Sequence, residues 1–128
     1  MKRVLLAIFL ASCTASAVAE RGEEFKITGM YSNMEYNKEG GDLLGIEIYL
    51  VYGGRDYFAI VQCAGGAPAP PVVTPVEISG TEITFKIPEG QPECGTTFNG
   101  TVSKEGLRGR FLGDTAERWL PRQKGYWE

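Results

Sequence analysis

Few residues in this chain are able to do chemistry, and an absence narrows them further: the 128 residues include no histidine. Serine–histidine and cysteine–histidine nucleophiles are therefore excluded, and so is any zinc site that joins thiolate to imidazole. Three cysteines remain, Cys13, Cys63 and Cys94. Among the carboxylates, Glu35, Glu39 and Asp42 share one polar stretch, and Glu47 stands between Ile46 and Ile48. A glycosidase-like pair needs two convergent carboxyl groups, one of them held protonated by burial. The spacing forces no convergence here. The first three read as solvated loop acids, and Glu47 reads as an outward strand position. The expectation is a protein that is not an enzyme, with no catalytic residue, no metal ligand and no cofactor.

Stepping outward from these residues, the first 19 belong to no domain. Lys2 and Arg3 precede the apolar run Val4–Leu10, and small residues lead to Ala17-Val18-Ala19 before Glu20. This is the layout of a removable export signal cleaved between Ala19 and Glu20. The apolar run is too short to span a bilayer, which takes about 20 residues. Leu10-Ala11-Ser12-Cys13 also resembles the lipobox of bacterial lipoproteins, which implies a lipidated Cys13 and a short polar tether to a membrane. Two fates stay open: a periplasmic or secreted protein starting at Glu20, or an envelope lipoprotein anchored through Cys13. Either leaves Cys63 and Cys94 as the two unmodified cysteines, and an oxidising compartment favours a disulfide between them.

Residues 20–128 read as one small domain. They carry eleven basic against sixteen acidic side chains, a balance that argues against nucleic acid and anionic membrane surfaces as partners. The charge is uneven. Residues 20–103 are net −7 and residues 104–128 net +2, with Arg108 and Arg110 on one face of a strand by period 2. Those arginines suit an acidic partner, or else the acidic residues Glu20, Glu23 and Glu24 at the start of the same domain.

Period-2 alternation runs through the domain and helical periodicity is nearly absent. It predicts strands over about 24–31, 42–52, 55–63 and 72–78, then around Ile83–Ile87, Phe98–Val102 and Leu107–Phe111, with a short eighth within Trp119–Trp127. The strand over 55–63 is apolar on both faces, so both should be covered. Pro75 predicts a bulge or a weakly paired start to its strand. Phe98-x-Gly100-x-Val102 and Leu107-x-Gly109-x-Phe111 place a glycine on the apolar face between large residues, which marks a bend or a close backbone approach. Asn99-Gly100-Thr101 matches a glycosylation acceptor, but its predicted mid-strand position argues against use.

Tight connections (Gly53-Gly54, Ser79-Gly80, Lys104–Gly106) alternate with longer ones (Ser32–Gly41, Ala64–Pro71, Pro88–Gly95, Gly113–Arg118). In an up-and-down meander such alternation gathers the long loops at one end. Cys63 and Cys94 both fall at that end, so strand parity permits the bridge, which needs Cα atoms within about 7 Å. The expected fold is all-β: an antiparallel up-and-down meander of seven or eight strands, forming a small closed or nearly closed barrel. In layout it resembles lipocalin-like and avidin-like barrels, with Gly29-Met30-Tyr31 near the Gly-x-Trp of the former. The close, Leu120 to Trp127, looks like that of small exported bacterial proteins of unknown function. The functional expectation is a binding module that works through the long-loop end, toward an unknown protein or a small apolar ligand. A hydrolase-inhibitor role or an envelope lipoprotein is the alternative. The loop Gly65–Pro71, with its polyproline II tendency, is a connection or a recognition segment.

Overall fold

The computed structural model of the chain describes residues 25–89 and 94–128. Cys13, Ala19 and Glu20, with the whole of the predicted export signal, lie outside the described residues. Nine strands are present: β1 (Gly29–Ser32), β2 (Glu35–Asn37), β3 (Asp42–Tyr52), β4 (Tyr57–Gly66), β5 (Val72–Ser79), β6 (Glu82–Lys86), β7 (Thr97–Val102), β8 (Gly106–Phe111) and β9 (Arg118–Pro121). Every pairing is antiparallel, in the order β1-β3-β4-β5-β6-β7-β8-β9, with β2 also on β3. No helix occurs among the described residues. The all-β meander read from the alternation is the observed fold.

The first two strands differ from expectation. Ser32–Gly41 is not a long loop. It carries β2, and β1 and β2 keep one continuous register against β3, from Gly29↔Leu50 to Asn37↔Asp42. The break between them is a bend at Asn33. The Asn33 side chain accepts from the Ile46 amide at 2.8 Å, in place of a ladder bond. Opposite it, Gly45 takes φ +113°, and a Cβ there would sit 2.6 Å from the Asn33 carbonyl oxygen. Polar alternation through Glu35-Tyr36-Asn37 hides this strand from a hydrophobic pattern. The connection that remains is the turn 38–41, closed by the Gly41 amide on the Asn37 carbonyl at 2.8 Å.

Ile46, Ile48 and Leu50 of β3 point inward, and with the inward positions of the other strands they form one cluster. Ile46, Ile48, Leu50, Val61, Phe98, Leu107 and Leu120 are almost wholly buried in it. Each such side chain contributes about 1.5–3 kcal/mol relative to exposure. Phe98 stacks on Phe85 at 5.0 Å and meets Phe111 edge-on at 5.1 Å. The glycines of β7 and β8 face each other in register, Gly100↔Gly109, beneath the Phe98 ring. A Cβ would fall 2.8 Å from that ring at Gly100 and 2.5 Å at Gly109. The predicted close approach is thus between ring and backbone. Pro75 causes no shift of register against β4. Instead, the ladder to β6 starts only at Val76↔Phe85, and the Thr74 hydroxyl donates to the Lys86 carbonyl at 2.7 Å just before it.

The barrel is nearly closed. β1 and β9 meet through the single bridge Tyr31↔Arg122 and the Gln123 amide on the Met30 carbonyl at 3.3 Å. Across this seam lies the Arg122 guanidinium. It donates to the carbonyls of Thr28 and Lys26, each at 2.9 Å, and to the Tyr31 hydroxyl at 2.5 Å. It also lies 4.8 Å from the Tyr31 ring centre. Burial pushes the Tyr31 phenol pKa up, against the opposing charge and hydrogen bond of Arg122.

Candidate functional site

Three surfaces qualify as sites: the long-loop end, the wall carrying the arginines, and the face beneath the C-terminal tail. The disulfide organises the first. Cys63, near the end of β4, is bridged to Cys94 in the connection between β6 and β7, with Cα atoms 5.4 Å apart. The connections 38–41, 67–71 and 112–117, with the described residues 87–89 and 94–96, share this end, as the antiparallel order requires. The loop 67–71 is held against β4. Ala64 bridges Pro68, the Ala69 amide donates to the Cys63 carbonyl at 2.8 Å, and Gln62 donates to the Ala69 carbonyl at 3.0 Å. Gly65 and Gly66 belong to β4. Beyond the barrel rim, β2 and the ends of β3 and β4 continue as a bent flap with its own small core of Met34, Leu43 and Ala64. A groove of about 560 Å³ runs along the flap, with Tyr36 and Leu44 exposed in its wall beside Asn33, Asn37 and Lys38.

The predicted carboxylates separate. Glu35, Glu39 and Asp42 are exposed on the flap, as expected of solvated acids. Glu47 does point outward, yet it is only 5% exposed, because the C-terminal tail folds back over it. Its Oε2 accepts from the Ser32 hydroxyl at 2.5 Å and from the Tyr126 amide at 2.6 Å. The tail is pinned further by Gln123 donating to the Ser32 carbonyl at 2.9 Å and by the Trp127 indole donating to Gln62 at 2.7 Å. Gly125 fits closely, since a Cβ would lie 3.1 Å from Met30 and 3.3 Å from Glu47. The last residues, noted in the sequence only as a familiar ending, therefore seal a buried polar pair. No period-2 pattern reports such a contact, because its partners stand about 80 to 90 positions apart in a segment without strand character.

Arg108 and Arg110 share the outward face of β8, as the alternation predicts. Their neighbours in register are Thr101 and Asn99 of β7, and a groove of about 420 Å³ lies over them, bordered by Glu82 and Glu117. Arg108 approaches Glu117 at 3.8 Å and stacks on Trp119 at 4.9 Å. Its charge is thus met within its own end of the chain; the acids at 20, 23 and 24 lie outside the described residues. Arg118 donates to Asp114 at 2.8 Å. That hydrogen bond, with help from the Phe111 amide and the nearby guanidinium charges, holds the Asp114 carboxyl below the usual carboxylate range. Asn99 sits mid-strand, its side chain accepting from the Thr84 hydroxyl at 2.9 Å. Among the described residues, no group of three or more histidine, cysteine, aspartate or glutamate side chains is arranged to hold a metal ion.

Compared with protein-family models, with curated proteins and with solved structures, the chain matches none.

Proposed function

We propose that this chain is an exported binding module that engages a partner protein through the long-loop end of its barrel. The observation that carries the reading is the flap: a disulfide-braced end that projects past the rim and presents exposed Tyr36 and Leu44 beside a groove. Aromatic and aliphatic anchors on a rigid support are what protein interfaces concentrate their energy in. The packed interior supports a protein partner over a small apolar ligand, because the inward side chains already occupy one another's contacts. Export rests on the leader in the sequence and is supported by the disulfide. A secreted hydrolase is one class of partner this reading admits.

The test uses the mature protein on a support, exposed to the secreted and envelope proteins of its source. A partner retained by the parent and by Thr84→Ala on the opposite wall, but lost with Tyr36→Ala/Leu44→Ala, is the expected result. Equal retention by all three would remove the loop end as the site. Stoichiometric uptake of an apolar fluorophore would instead favour a ligand carrier.

A further inference from the structure

The outside of the barrel has two unlike halves. On β6, β7 and β8 the outward positions are Thr84, Lys86, Asn99, Thr101, Arg108 and Arg110, all polar or charged. Around the other half, two rows of them are apolar. One row runs in register across four strands, Met30–Tyr49–Ile60–Val73, and the next across three, Val51–Phe58–Pro75. Neither row holds a charged side chain. The following pair in register, Glu47↔Gln62, is where the tail lies, with Tyr126 and Trp127 packed edge to face at 4.9 Å.

The strand over 55–63, expected to be covered on both faces, is buried inside and partly covered outside. Ala59, Val61 and Cys63 are buried inside, but Phe58 and Ile60 are only half-buried outside. Around them Tyr49 is 41% exposed, Val73 62%, Tyr126 41% and Trp127 60%. Single exposed apolar residues are ordinary on a surface, whereas a contiguous patch in register marks a contact face.

We propose that this face pairs with the same face of a second copy of the chain, forming a reversible two-fold dimer. Charge selects that occupant. The two rows hold no charged side chain, so two copies meet through them without bringing like charges together. A bilayer is the poorer fit, because binding to an anionic leaflet draws on flanking lysine and arginine. Here Glu77 on β5 and Lys86 on β6, with Lys124 and Glu128 of the tail, make a balanced set without basic excess. Shape agrees. The rows keep register without a bulge and present a face that a two-fold axis matches to itself. With aromatic side chains carrying about 150–250 Å² each, the exposed parts of the face amount to roughly 500 Å². Two copies would then bury on the order of 1,000 Å², at the low end for specific interfaces. The dimer is accordingly weak, forming in the micromolar range.

Sedimentation of the mature protein from low micromolar to near-millimolar concentration decides it. The weight-average mass should climb from one chain toward two. Val73→Lys and Tyr49→Lys should each stay monomeric throughout with an unchanged melting profile, and Thr84→Lys on the polar half should dimerise like the parent. If a lysine variant fails to fold, diluting the parent should shift the methyl resonances of Val73 and Ile60 while those of core Ile83 stay fixed. A parent that remains monomeric at every concentration would overturn the proposal. So would a Thr84→Lys variant as impaired as Val73→Lys, or a monomer that co-sediments with phosphatidylglycerol vesicles through this face.

Discussion

Glu47 shows how a residue's role is set by what covers it. Its parity on β3 sends it outward, where a carboxylate is normally hydrated, but the tail replaces water with the Ser32 hydroxyl and the Tyr126 amide. Losing the carboxyl leaves the buried Ser32 hydroxyl and the part-buried Tyr126 amide without this partner. Glu47→Ala should therefore cost about 1–3 kcal/mol, seen as a lowered melting temperature. The Tyr126 amide should also exchange its hydrogen faster, because that amide bonds directly to the carboxyl. Unchanged stability together with a protected Tyr126 amide would mean that the tail is held by other contacts. The sequence placed Glu47 on the right face and then misjudged its surroundings. Burial on an outer wall depends on a distant segment, and strand periodicity does not record it.

At the level of elements, the glycines of β7 and β8 were legible because their period matched the flanking aromatics. Their reason needed coordinates. The Phe98 ring lies on the paired glycines, filling the space that two side chains would otherwise take. Gly109→Ala puts a Cβ 2.5 Å from both the Phe98 ring and the Asn99 carbonyl. The expected loss is about 1–3 kcal/mol from overpacking, measured by denaturant unfolding. Gly65→Ala, where a Cβ would meet open space and φ is not in the left-handed region, should be close to neutral. Equal effects at the two positions would reduce the glycine pair to a matter of chain flexibility. β2 was the element missed. Glu35-Tyr36-Asn37 bury nothing, so their pairing is specified by the register of β1 and by the turn that follows.

For the whole molecule, the disulfide joins the end of β4 to the connection before β7, across 31 positions of sequence, and the alternation of strand direction puts both at one end. Reduction, or replacement of both Cys63 and Cys94 by serine, should remove about 3–4 kcal/mol on chain-entropy grounds. The denaturation midpoint would fall accordingly. A midpoint indifferent to reductant would mean that the loop end is held by its backbone contacts. The seam is the complementary feature: β1 and β9 share little ladder, and one guanidinium bonded to the carbonyls of Lys26 and Thr28 spans the gap.

Sequence alone determined the all-β class, the strands with alternating apolar faces, the end at which the cysteines meet, and the absence of imidazole chemistry. These are local or topological properties. Period 2 reports which face is buried, and strand parity reports which end a loop occupies. Tertiary structure alone decided that Glu47 is capped by the chain's last residues, that the interior is packed by its own side chains, and that the outer face of β4 stays partly exposed. Each of these depends on what lies opposite a side chain across the sheet or beyond it, and that neighbour is set by the closure of the barrel and the path of the tail.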